Sequence, residues 1–193
     1  MRVRLAAIVL ATVAVLTPCF AWSKSETWSL THLMEEMAKR QSGSVKFRET
    51  RFLKLLTNPV TIEGVLSYDG NRLEKHNLKP EDERVVIDGS RVTIFRPAQN
   101  REDSLFLSDI PALDVFITGL RATLRGDIAS LRRSFWIKYD HVGADWKMTL
   151  TPLDQEAVAA VREVRLAGRA IQIATIEVEE ASGDRSLIEL LHE

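Results

Sequence analysis

Apolar and polar positions alternate with period two over Ile62 to Tyr68, Leu73 to Leu78, Arg84 to Asp88 and Arg91 to Phe95, and turn chemistry separates each run from the next. Asp69-Gly70 and Asp88-Gly89 are pairs that accept positive φ in tight hairpins, and Lys79-Pro80-Glu81-Asp82 makes a longer polar connection. Ile62, Gly64, Leu66 and Tyr68 share one pleat face, while Glu63 and Ser67 share the other. The pattern predicts an antiparallel meander with one apolar side, and an apolar side needs a cover.

Upstream, Leu30, Leu33, Met34 and Met37 recur at helical spacing behind Ser29, a capping residue, with Gly43 just past the predicted end. Glu35, Glu36, Lys39 and Arg40 make the solvated face of that helix. Val45 to Phe52 alternates as a first strand, which Thr57-Asn58-Pro59 turns into the meander.

Beyond Arg96-Pro97, Ala98 to Asp103 reads as a polar loop. The period then becomes helical through Leu105, Phe106, Leu107, Ile110, Leu113, Phe116, Ile117, Leu120 and Leu124. Pro111 suits the first turn of a helix running to about Arg125. Gly119 within it lowers helix propensity by about 1 kcal/mol relative to Ala, which predicts a break or bend. Asp127 caps a second short helix, Ile128 to Arg133.

Strands return at Phe135 to His141 and Trp146 to Thr151, joined across Val142-Gly143-Ala144-Asp145. Asp154 to Ala160 is either a short helix or a connection. Val161 to Leu166, Ala170 to Val178 and Ser186 to Leu191 complete the series. The order is helix, about five strands, a helical insertion, then about five strands, which predicts an α+β fold with a strongly curved antiparallel sheet.

The N-terminus changes the picture first. Arg2 and Arg4 precede an apolar core, Leu5 to Leu16, and Pro18 to Ala21 leads to a small residue, so residues 1–21 read as a cleaved secretory signal peptide. Cleavage leaves 193 − 21 = 172 residues with a formal charge of 24 − 27 = −3, which gives no reason to expect a nucleic-acid partner. Cys19, the single cysteine, is either discarded with the signal or lipidated as a membrane anchor. Pro18 fits poorly where a lipobox wants a small residue, which favours soluble export.

Candidate chemistry changes it less. His32, His76, His141 and His192 have no metal-ligand spacing, and nucleophile-elbow, phosphate-loop and dinucleotide patterns are missing. Glu35-Glu36 and Glu179-Glu180 are adjacent carboxylates that read as exposed charge rather than an acid and a base facing one substrate. No catalytic residue, metal or cofactor is expected. From periodicity alone, Phe106, Phe116 and Leu120 read first as plain core, with one wall of a cavity between sheet and helices as the alternative.

Gly64-Val65-Leu66-Ser67-Tyr68, then Leu73, then Lys79 to Gly89 with its Asp88-Gly89 pair, followed by a strand ending Arg96-Pro97, resembles the LolA family of periplasmic outer-membrane lipoprotein carriers. Phe47 with Glu49 two residues on matches that family's first strand, and Leu166 to Leu191 shows the same succession of strands and turns. Pro59, Glu83-Arg84, Leu113, Leu120-Arg121-Ala122, Gly126-Asp127 and Gly183-Asp184-Arg185-Ser186 are most similar to a divergent branch. The family carries an Arg-Pro pair early in the strand after the Gly-x-Leu segment, where the arginine helps hold the lid. Here Gly70-Asn71 stands there, and either Arg72, two residues along, substitutes or the release mechanism differs.

The resemblance implies an unclosed, strongly curved β half-barrel covered by helices, formed by residues 22–193 as one domain. It further implies a periplasmic, monomeric, non-enzymatic carrier that takes an acylated lipoprotein or lipid client from an inner-membrane donor to an outer-membrane acceptor, with transient membrane-surface contact. Phe47, Leu66, Tyr68, Leu73, Ile94, Phe116, Leu120, Leu124, Phe135 and Trp146 are the expected cavity lining. Arg72, Arg121 and Arg125 are candidates for release or docking. Arg121, Arg125, Arg132 and Arg133 are either a solvated face paired with Asp114 and Asp127 or a basic patch beside the cavity mouth. The alternatives are a non-transporting envelope assembly module with a filled core, and a lipid-modifying enzyme.

Overall fold

Eleven strands in a single antiparallel sheet carry the fold, in the order β6-β5-β4-β3-β2-β1-β11-β10-β9-β8-β7. The computed structural model describes residues 28–40 and 42–192; the signal peptide expected at 1–21, with Cys19, lies outside them. The strands are β1 (Ser42–Phe52), β2 (Val60–Asp69), β3 (Arg72–Lys79), β4 (Glu83–Asp88), β5 (Arg91–Arg96), β6 (Arg101–Phe106), β7 (Phe135–Val142), β8 (Asp145–Pro152), β9 (Val161–Arg169), β10 (Gln172–Glu180) and β11 (Arg185–Leu191). Every neighbour except β1 and β11 is joined by a sequential connection, and the β1–β11 pairing, Lys46 opposite Leu191 through Phe52 opposite Arg185, brings the two halves of the meander together. The edges β6 and β7 do not pair, so the barrel is unclosed, as expected.

Four α-helices cover the concave face: α1 (Leu30–Ala38), α2 (Pro111–Leu124), α3 (Ile128–Ser134) and α4 (Gln155–Ala160). Ser29 caps α1, its hydroxyl accepting from the His32 N–H at 3.2 Å, and Asp127 caps α3 by accepting from the Ser130 N–H at 2.9 Å. Asp154 accepts from the Glu156 and Ala157 N–H groups, so the segment left open between helix and connection is a helix. None of the described helices is long and apolar enough to cross a membrane.

Three expectations are corrected. Residues 101–106 form strand β6, so 101–103 are not a loop and Leu105 and Phe106 are not helical: Arg96 and Asp103 form an ion pair between β5 and β6, Leu105 pairs with Val92, and together these hold the polar start of the strand in the sheet. Gly43, past the end of α1, lies inside β1 and does not close the helix, whose C-cap is Lys39. Gly119 does not break α2, which is continuous through it. A Cβ at Gly119 would stand 3.1 Å from Leu150 Cδ1 and 3.4 Å from Phe135 Cζ. The glycine lets the helix lie close on the sheet, and that packing outweighs its propensity cost.

The core is lopsided. On β7 to β9 the inner face is filled: Phe135, Trp146, Met148, Leu150, Val161, Val164 and Leu166 are buried, with Leu131 of α3 over them. α2 packs against α1, α3, α4 and β9. On β1 to β5 the inner face is not filled in the same way, and a space remains between it and α2.

Candidate functional site: a concavity with an apolar wall and a polar end

Between α2 and the inner face of β1 to β5, β10 and β11 lies a cavity of ≈ 710 Å³. That volume falls within the range of about 300–1,000 Å³ usual for small-ligand pockets. Period two builds one wall: register sets Leu66 opposite Val45 and Lys75, and Tyr68 opposite Gly43 and Leu73, so alternate residues of neighbouring strands form rows across the concavity. Helical spacing builds the other, through Leu113, Phe116, Ile117, Leu120 and Leu124 of α2.

Leu66, Tyr68, Leu73, Ile94, Phe116, Leu120 and Leu124 line this cavity. Phe47, Phe135 and Trp146 are not among its lining residues, which corrects their expected placement. Phe47 is buried over Gly64, whose missing side chain makes room for the ring: a Cβ there would stand 2.9 Å from Phe47 Cε1. Phe135 and Trp146 lie in the filled half, Phe135 against Gly119 and Trp146 with its indole N–H donating to the Ala170 carbonyl at 2.7 Å. Alternation identifies the inner face, but not which part of a curved sheet the helices fill.

The end of the cavity near the β1–β2, β3–β4 and β10–β11 turns is polar. Glu49, 2% exposed, accepts from Arg51 Nε and Ser186 Oγ at 2.7 Å each, and its second oxygen accepts from Lys75. Burial pushes the Glu49 carboxyl up, but the Lys75 ammonium and the Arg51 guanidinium together outweigh burial and hold it below the usual carboxylate range. Burial pulls the Lys75 ammonium down, and the Glu49 carboxylate only partly restores it. Asn77 donates from Nδ2 to Glu83 at 3.3 Å, and Glu83 in turn accepts from Arg96 at 2.9 Å. Glu49 was singled out in sequence only by the family resemblance. Lys75 and Asn77 were missed, although their spacing from Leu73 points them to the inner face.

At the opposite end, Arg121 donates to three backbone carbonyls: Gly89 at 2.6 Å, Asn71 at 2.9 Å and Ile87 at 3.2 Å. Arg125 donates to the Asn71 side-chain oxygen at 2.7 Å and to the Gly70 carbonyl at 3.3 Å. Burial and the neighbouring Arg125 charge pull the Arg121 guanidinium below its ordinary value. Both arginines therefore tie α2 to the β2–β3 and β4–β5 turns, and Arg121 is neither a solvated nor an open basic group. Arg72 pairs with Glu74 on its own strand at 3.4 Å. The link between lid and hairpin is thus made by guanidinium groups carried on the helix. Arg133 donates to Ser130 within α3.

The whole is an open-sided antiparallel half-barrel, lidded by helices over an apolar concavity. The outer membrane lipoprotein carrier protein LolA-like family matches residues 23–191, and the chain belongs to that family. Among solved structures, the chain is similar to a LolA superfamily protein from Nitrosomonas europaea at 12% identity and a TM-score of 0.45, covering 86% of this chain and 93% of that one. It is similar to a chain of the Clostridioides difficile CwlD amidase in complex with the GerS lipoprotein at 11% identity and a TM-score of 0.38, covering 77% and 82%. LprF from Mycobacterium bovis is similar at 10% identity and a TM-score of 0.34, covering 84% and 91%. No curated protein matches the chain in sequence.

Proposed function

We propose that this chain is a periplasmic carrier, exported through a cleaved signal peptide at residues 1–21, whose remaining residues 22–193 act as one domain. It shields the acyl chains of a lipoprotein or lipid client while the client passes from an inner-membrane donor to an outer-membrane acceptor. The observation that carries this reading is the apolar concavity between α2 and the sheet, left unfilled by side chains beside a half-sheet that is fully packed.

Physical need and physical means agree. Exposing an alkyl chain of about fifteen methylenes to water costs roughly 12 kcal/mol, at about 0.8 kcal/mol each, so unaided crossing of an aqueous compartment is negligible. An apolar wall lowers that cost, and a sheet with two unpaired edges can open to release the chain without dismantling a closed barrel. A filled core, as an assembly module requires, is at odds with the space under α2. For a lipid-modifying enzyme, Lys75, the amine in the cavity, is paired with Glu49 rather than free.

The test is co-purification. The exported protein, isolated from its native periplasm under non-denaturing conditions, carries acylated molecules that mass spectrometry identifies in near-equal molar amount. Recovery of the protein with no acyl chains, and no uptake of a fatty-acyl probe, overturns the carrier reading.

A further inference from the structure

Shielding alkyl chains needs no polar groups, yet the cavity has a polar end. Across the inner face, register sets Asn77 opposite Gly64 on one side and Glu83 on the other, with Lys75 the next inward residue of β3. Arg51 stands opposite Ser186, beside Glu49. Three cations, Arg51, Lys75 and Arg96, are bonded to three carboxylates, Glu49, Glu83 and Asp103. Asp103 also accepts from Arg101, and each charged group of the cluster is taken up by an ion pair, so none stands free for an ionic headgroup.

One atom is left over. Asn77 is 7% exposed and lines the cavity, and its Oδ1 is buried with no hydrogen-bond partner among the described residues. The amide cannot be turned to relieve this, because its N–H side faces the Glu83 carboxylate and the reversed amide would set two acceptors against each other. A buried acceptor without a donor destabilises the empty protein, and a partner that supplies the donor recovers that loss. Gly64 opposite Asn77 has no side chain to provide one.

We propose that the polar end of the cavity, centred on Asn77 Oδ1, takes a neutral hydrogen-bond donor carried next to the client's alkyl chain, an amide N–H or a hydroxyl. This deepens the carrier reading and rests on it. The cavity is then oriented: the alkyl part lies along Leu66, Tyr68, Leu73 and α2, and the polar junction of chain and headgroup lies at Asn77. Selection follows from the usual asymmetry of buried hydrogen bonds. A client lacking the donor leaves Oδ1 unpaired and is discriminated against, although its apolar surface is the same.

The test is displacement of a fluorescent fatty-acyl probe from the exported protein by three competitors with the same dodecyl chain: N-methyldodecanamide, dodecanol and methyl dodecanoate. The amide, the alcohol or both bind at least about tenfold more tightly than the ester, which has no donor. Preference for the amide points to an N-acylated polypeptide as client, and preference for the alcohol to a free lipid hydroxyl. Asn77→Leu, close in volume, brings the ratio near one. A thermal midpoint measured on the same sample shows that the variant is folded. Equal affinities for all three competitors in the wild type, as expected if a trapped water satisfies Oδ1, overturn this proposal and leave the carrier reading standing. Failure of every acyl compound to bind overturns both.

Discussion

Arg121 on α2 donates from Nη1 to the Gly89 carbonyl at 2.6 Å, so the lid is held to the β4–β5 turn by one guanidinium that also reaches Asn71 and Ile87. Two hairpins and a helix meet at a single side chain. Arg121→Met keeps the aliphatic stem and removes all three bonds. It is expected to lower stability by about 2 kcal/mol, the range for charged hydrogen bonds at a partly buried site. Amide hydrogen exchange should quicken in α2 more than in β8 and β9. Unchanged protection of α2 would show that apolar packing alone holds the lid.

Glu49 and Lys75 are expected to behave as one unit. Glu49→Gln leaves the Lys75 ammonium buried without its counter-charge and should cost about 3 kcal/mol or more, whereas Glu49→Gln combined with Lys75→Met should recover most of that loss. Chemical denaturation of the four proteins checks this, and simple additivity of the two single effects would refute it.

The same pair sets an acid dependence. The Glu49 carboxyl in the folded chain lies below its ordinary value of 4.5, so the unfolded chain takes up its proton first as the pH drops. The stabilisation is fully present above 4.5 and is lost as the pH falls through the lower folded value. Thermal midpoints below pH 4.5 should therefore fall more steeply in the wild type than in the double variant; parallel curves would remove Glu49 from the acid response.

Gly64 is expected to be the least replaceable position of the meander. A Cβ there would lie 2.0 Å from the His76 carbonyl oxygen, which is backbone of β3 and cannot rotate away. Gly64→Ala should cost more than about 2 kcal/mol. Gly119→Ala meets only side-chain ends of Leu150 and Phe135 and regains up to about 1 kcal/mol of helix propensity, so it should cost far less. Equal effects of the two substitutions would mean that the close approach of β2 and β3 is not rigid.

Much of the fold was legible in the sequence because it is local. Asp69-Gly70 and Asp88-Gly89 do form the tight turns that their chemistry predicts, with φ of 55° at both glycines. Ser29 and Asp127 cap the helices that they precede. Strand β6 was not legible, since Arg101, Glu102 and Asp103 have no apolar alternation, and Asp103 is held by Arg96 across to β5 and by Arg101 along its own strand. The cavity wall was partly legible for the same reason that the strands were: Leu66, Tyr68 and Leu73 lie on the inner face by period. What pattern cannot carry is where the helices come to rest. Trp146 and Phe135 have the same inward signal as Leu66, yet both lie buried in the filled half, and Arg121 reads as a surface cation although its partners lie 32, 34 and 50 residues away.

The most direct test of a cavity that holds an alkyl chain is to fill it. Val85 and Ile94 face each other across β4 and β5 and line the concavity, away from the bonds that fix the lid. Titration of a fluorescent fatty-acyl probe into the exported wild-type protein should saturate at one probe per chain. In Val85→Trp and in Ile94→Trp, affinity should fall at least about tenfold as the indole takes the ligand's place, with circular dichroism confirming the folded sheet. Binding of the probe with the same affinity and stoichiometry by wild type and both filled variants would contradict the account.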